Sequence, residues 1–289
     1  MTLKYALKAG CAAVALAAGG AAYAGPFYLD IGTNYGPAAG QVTSTSTSMK
    51  NEFQFKYDSA TTIFDTDLSG TINAGDALTT NGGLAVPGAT LGVNLVTQLL
   101  PAQVFSNNSN NGYGINYFLS FRVSGLLGVV TGIVGGVPTF AYGPGLLEML
   151  ITTDGVTYDN FMDLKLTGGG ATGVSTILLG TVDFTNVSGN YSNLFHSGSY
   201  SCGGNSGFFD IWSNCGGSTG DLSIAFSSTQ DANVLATRFA HDTTNNLFSL
   251  ATNHNGSGTF SIPEPGSLAL LGLALAGLGM VQRRRNKAV

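Results

Sequence analysis

The stretch Asp65-Thr66-Asp67-Leu68-Ser69-Gly70-Thr71-Ile72-Asn73-Ala74-Gly75-Asp76 concentrates oxygen donors as no other part of this chain does. Three carboxylates fall within it, although only 9% of the 289 residues are charged. Side chains at alternate positions (Asp65, Asp67, Ser69) can converge on one point, and Gly70 permits the sharp turn that such convergence needs. Thr71 can add its carbonyl, Asn73 a bridging water and Asp76 a closing carboxylate. Hard oxygen ligands carrying three negative charges suit Ca²⁺ far better than a softer metal. The competing reading is a plain acidic turn between two strands.

The loop at 65–76 resembles the twelve-residue loops of calcium-binding EF-hands, and dockerin-type calcium repeats more closely still. That resemblance implies one Ca²⁺, held by Asp65, Asp67, Ser69, Thr71, Asn73 and Asp76, with Ile72 as the apolar peg to the core. Asp76 stands where sensor loops carry Glu, and a strand rather than a helix precedes Asp65. No second loop accompanies this one, so the implied ion is structural, fixing the connection from a strand to a helix beginning at Leu91.

Other catalytic patterns are missing or incomplete. Gly203–Phe209 (GGNSGFF) faintly resembles the nucleophile turn of trypsin-like proteases, but Asn205 replaces the expected Asp and no His-bearing partner segment precedes it. His196 is only ten residues from Ser206. His241 and His254 lack metal-ligand spacing and read as surface or turn residues. No pair of carboxylates stands out as a glycosidase site. Phe208, Phe209 and Trp212 could stack on sugar rings, but read more simply as core or loop anchors. The chain is therefore expected not to be an enzyme.

The two ends carry targeting information. Lys4 and Lys8, an Ala-rich run and Ala22-Tyr23-Ala24 form a secretory signal peptide over residues 1–24, cut between Ala24 and Gly25. At the other end, residues 262–289 join Pro263-Glu264-Pro265, an uncharged run from Gly266 to Gln282, and the basic cluster Arg283, Arg284, Arg285 and Lys287. As a helix, that run would reach only about 26 Å, somewhat short of a bilayer core. This three-part tail resembles the PEP-CTERM sorting signal of Gram-negative bacteria. The resemblance implies a membrane helix that anchors the protein transiently in the inner membrane. It also implies cleavage by an exosortase-like membrane peptidase, after signal peptidase has acted at the other end. The product would be released or held at the cell surface or in the extracellular matrix. Family members accompany exopolysaccharide production and biofilm or floc formation, so extracellular polysaccharide or matrix proteins are the implied partners. The alternative is a secreted polysaccharide-acting hydrolase with the same tail.

Residues 25–261 form the exported body. Five cationic side chains against fifteen carboxylates give it a net charge near −10, which argues against nucleic acid. In an oxidising compartment, Cys202 and Cys215 are expected to form a disulfide. With 42 Gly, the composition favours strands and turns over helices. Alternating stretches such as Glu52–Tyr57, Ile115–Val123, Asn160–Thr167 and Thr176–Thr185 predict many short strands. The expected fold is all-β, an antiparallel β-sandwich of jelly-roll type with one or two short helices. One helix is predicted over TLGVNLVTQLL, where Leu91, Leu95 and Leu99 share a face before Pro101. The uncharged run Gly125–Gly145 reads as buried strands with a Gly-rich connection.

Overall fold

A computed structural model describes residues 25–36, 39–102, 108–172, 175–187, 190–215 and 225–261, with side chains excepted over 225–239. The signal segment with Ala24, and the tail with Pro263, Glu264, Pro265, Arg283, Arg284 and Arg285, lie outside the described residues. The elements run β1 (Phe27–Leu29), β2 (Glu52–Phe64), β3 (Ala77–Gly83), β4 (Leu95–Leu100), β5 (Phe118–Val134), β6 (Val137–Tyr142), β7 (Gly145–Thr152), β8 (Asp159–Thr172), β9 (Ser175–Asp183), β10 (Phe195–Ser197), α1 (Phe208–Cys215), β11 (Ala225–Asp242) and β12 (Leu247–Ser261).

All strand pairings are antiparallel, as expected. The ladder runs β2–β3–β5–β7–β8–β9–β11–β12 and then returns to β2, so the layers of the sandwich are joined at both edges. Neighbours in this ring follow chain order, an up-and-down connectivity in place of the Greek-key crossings of a jelly roll. Closure leaves no open edge in the main circuit. β6 fills the space between the far ends of β5 and β8, β4 pairs with the first half of β2, and β1 with β10 forms a separate two-stranded sheet.

Period-two alternation directs the interior. On β2, Phe53, Phe55, Tyr57, Ser59, Thr61 and Ile63 are buried while their neighbours are more exposed. The larger apolar cluster is aromatic at its centre: Phe208 and Phe260 sit 5.2 Å apart, Phe27 and Phe195 5.3 Å, and Phe53 and Phe260 5.6 Å. Each such contact contributes about 1 kcal/mol beyond simple burial. A smaller cluster gathers Ile63, Leu78, Val130, Phe140, Phe248 and Leu250. Along β2 and β12 the two clusters are separated by buried polar residues: Ser59 and Thr61 on one strand, Thr252 and His254 on the other.

The structure corrects four expectations. Residues 91–100 form a short 3-10 turn at Leu91–Val93 and then β4, because pairing with β2 from Glu52 to Lys56 outweighs the helical spacing of the leucines. Gly125–Gly145 does form strands, turning at Gly135-Gly136, but Leu127, Val129, Ile133 and Val134 are exposed rather than buried. His254 is buried, whereas His241 is exposed and lies against Phe248. The acidic loop connects β2 to β3 as a hairpin, not a strand to a helix.

Candidate metal centre

The hairpin itself brings Asp65 and Asp76 together. Phe64 pairs with Ala77 at the end of the β2–β3 ladder, which places the next residue on each side at the mouth of the loop. Both carboxylates are withdrawn from solvent, Asp65 at 5% and Asp76 at 2% exposure, while Asp67 is exposed. Each of the three offers an oxygen, and these oxygens lie within 4.8 Å of one another. Among the described residues the only ion pair is Arg122–Glu148, so no cationic side chain neutralises the three.

Backbone amides turn the carboxylates inward. Asp65 Oδ1 accepts from the Ser69 N–H at 3.0 Å and its Oδ2 from the Gly70 N–H at 2.7 Å. Asp76 Oδ1 accepts from the Thr66 N–H and hydroxyl, both at 3.0 Å, and its Oδ2 from the Asn73 N–H at 2.8 Å. Leu68, Gly70 and Gly75 adopt positive φ, and Gly70 at +74° supplies the turn the sequence required of it. Oxygens of Ser69, Thr71 and Asp67 converge on the Asn73 amide nitrogen: Ser69 Oγ at 2.6 Å, Thr71 O at 3.2 Å and Asp67 Oδ2 at 3.4 Å. Hydrogen bonding from Ser69 is the main cause that holds Asp67 below the usual carboxylate range. All six predicted residues thus lie in one network, and Ile72 packs against the smaller apolar cluster.

Elsewhere, Cys202 and Cys215 are bonded as expected, with Cα atoms 6.0 Å apart. The Gly-rich loop they enclose continues into α1, an element the sequence reading missed; it buries Phe208 and Ile211, while Phe209 and Trp212 pack partly buried beside them. Ser206 does meet His196: its Oγ lies 3.2 Å from His196 Nδ1 and 3.1 Å from the Tyr28 hydroxyl. Tyr28 and His196 stack at 4.8 Å, so this serine ties β1 and β10 to the loop before α1. No carboxylate is hydrogen-bonded to that imidazole among the described residues. A row of acids also went unread. Glu148, Asp163 and Asp183 lie directly opposite one another on β7, β8 and β9. Burial raises the Asp163 pKa, while Arg122 pairs with Glu148. Asp163 is buried and the row lies along adjacent strands, not as two carboxylates opposed across a substrate cleft.

Comparison with known proteins places a PEP-CTERM protein-sorting motif over residues 261–285. No curated protein and no solved structure matches the chain. The sorting motif marks an exported protein processed by an exosortase.

Proposed function

We propose that this is a non-catalytic component of the cell surface or extracellular matrix, whose β-body is braced by one structural Ca²⁺ and acts by contact with extracellular polysaccharide or other matrix proteins. The sorting motif at residues 261–285 supports the location. The observation that carries the calcium reading is the convergence of Asp65, Asp67 and Asp76 with no cationic side chain paired to them among the described residues. Two withdrawn carboxylates beside a third repel one another, and a divalent cation converts that repulsion into attraction. Ca²⁺ would be held by the three carboxylates with Ser69, the Thr71 carbonyl and Asn73. Export suits such a site, because loops in extracellular proteins work at affinities of about 10⁻⁴–10⁻³ M. The ion serves the fold and takes no part in a reaction.

The location is tested in the producing cell by mass spectrometry and fractionation. The native protein should start near Gly25, lack Arg283–Arg285 and occur at the surface or in the medium. Replacing Pro263, Glu264 and Pro265 with Ala should leave the full tail attached and the protein in the inner membrane. An intact C-terminus on the native surface protein would refute exosortase processing. A purified body that does not co-sediment with the cell's own exopolysaccharide would remove polysaccharide as the partner.

A further inference from the structure

Lysine is almost never fully buried unless a carboxylate accompanies it. Lys50 is 0% exposed and sits just before β2, its main chain paired with Phe27 in both directions at 2.6 and 2.7 Å. Its Nζ donates to the Pro101 carbonyl at 2.9 Å and to Asn110 Oδ1 at 2.7 Å. Among the described residues no carboxylate lies within ion-pair distance. An ammonium carries three N–H donors, but the described residues supply two acceptors. Two acceptors match the neutral amine, which then keeps a free lone pair. Burial shifts the balance toward that form, lowering the Lys50 pKa to about 8, so that a reactive fraction of free amine is present near neutral pH. The Asn110 carboxamide carbon is bonded to the oxygen that Nζ touches, so it lies within about 4 Å of the amine.

We propose that Lys50 and Asn110 form an intramolecular isopeptide bond. The Nζ lone pair attacks Cγ of Asn110 and the new C–N bond forms. One proton passes from Nζ to the departing Nδ2, the Cγ–Nδ2 bond breaks, and ammonia leaves. Nothing is oxidised or reduced, and no cofactor is required. The remaining N–H of the new amide can keep its bond to the Pro101 carbonyl. Asn110 is only half-buried, so ammonia has a way out, while the lysine side is sealed from water. The product also replaces a buried amine, whose protonation the interior opposes, with an amide that carries no charge at any pH. Its place in the fold suits a staple. The first half of β2 is flanked by β4, and β2 reaches β5 only through β3, at its far end. A Lys50–Asn110 bond would join covalently the segments entering β2 and β5 where, among the described residues, hydrogen bonds from Ser48 to the Ser109 carbonyl link them without a strand pairing.

Intact mass and tandem mass spectrometry of the exported protein test this. The folded body should be lighter by about 17 Da, one ammonia, than its disulfide-bonded sequence requires. Its digest should contain a branched peptide joining Lys50 to Asn110. The branched peptide decides the matter, because Asn111-Gly112 could lose the same mass by closing a succinimide on itself. Asn110→Ala should abolish the branched peptide. If that variant fails to fold, the wild-type digest alone still decides. Recovery of Lys50 in a linear peptide, its amine fully open to acylation after denaturation, would overturn the proposal.

Discussion

Acid should weaken this protein through its buried and half-buried imidazoles, and His254 carries a share that one substitution can isolate. His254 lies on β12 inside the ring, 7% exposed, with its ring 4.4 Å from that of Tyr57 and nearly parallel to it. Its Nε2 is 2.8 Å from Ser59 Oγ, and its Nδ1 has no hydrogen-bond partner among the described residues. Hydroxyls of Ser59, Thr61, Tyr142, Thr176 and Thr252 and apolar side chains such as Phe140 and Leu250 line a cavity of about 20 Å³ with it, room for one water, and no charged side chain lines it among the described residues. Burial lowers the His254 pKa from 6.5 to about 4. The folded state therefore prefers the neutral ring, and between pH 6.5 and 4 the unfolded chain binds a proton that the folded chain does not. Stability is full above the unfolded value and is lost as pH falls through that window. At 1.36 kcal/mol per pKa unit the complete loss is about 3 kcal/mol, and roughly 2 of that should be gone between pH 7 and 4.5. Urea unfolding at pH 7, 5.5 and 4.5 measures it, and a shift of about 1 M in midpoint is expected. His254→Gln should remove this slope whatever it does to stability at pH 7. Other groups act elsewhere or cancel in the comparison. Asp154 and Asp242, held low by hydrogen bonds from Thr157 and Asn245, lose their contribution only below the ordinary carboxylate pKa. Asp163, raised by burial, works in the opposite direction in both proteins, and His196, lowered by burial, works in the same direction in both, so each cancels in the comparison. Parallel pH profiles for wild type and variant would refute the reasoning.

Calcium at about ten to a hundred times its dissociation constant should stabilise the body by roughly 1.5–3 kcal/mol, a rise of several degrees in Tm. Calorimetry with Ca²⁺ or a chelator measures this; Asp65→Ala should erase the shift, and a native protein indifferent to calcium would sink the site. Gly83→Ala should cost about 2–4 kcal/mol, because φ is +63° and the new Cβ would lie 2.3 Å from the Phe121 carbonyl oxygen. Chemical denaturation showing a loss below about 1 kcal/mol would mean that β3 and β5 separate more readily than their pairing implies.

Local pattern was legible where a strand's two faces differ. The alternation in Glu52–Tyr57 is the observed inward–outward pattern of β2, and it continues unbroken to Ile63. The alternation failed as a guide where polar residues face inward. Asn255-Gly256 is a turn signal by composition, yet β12 passes straight through it, because Asn255 pairs with Lys56 and Gly256 with Phe55. The Leu91, Leu95 and Leu99 spacing fits a helix equally well on its own; only the partner strand decides, and β2 lies more than thirty residues earlier. The convergence of the acidic loop's side chains was legible because all its oxygens are local in sequence. Lys50 and Asn110 were not, since sixty residues separate two side chains whose meeting depends on the whole ring.

The position of the acidic loop decides which part of the fold a cation would serve. The loop is not a free appendage: the Gly75 N–H donates to the Val130 carbonyl, the Val130 N–H to the Asp76 carbonyl, and the Asp65 N–H to the Asn246 carbonyl. These bonds tie the β2–β3 hairpin to β5 and to the turn between β11 and β12. Val130, with Ile63 and Leu78 at the adjoining strand ends, belongs to the smaller apolar cluster. Folding this end therefore forces Asp65 and Asp76 together whether or not a cation is present, and it has few apolar side chains to set against their repulsion. The larger cluster, beyond the polar layer of Ser59, Thr61, Thr252 and His254, has its aromatic centre and the Cys202–Cys215 bond. Binding energy at the loop is thus coupled to one end of the ring first. Removing calcium should raise hydrogen exchange around Val130, Leu78 and Asn246 before it does so at Phe53 or Phe260, because only the former share their hydrogen bonds or packing with the acidic loop.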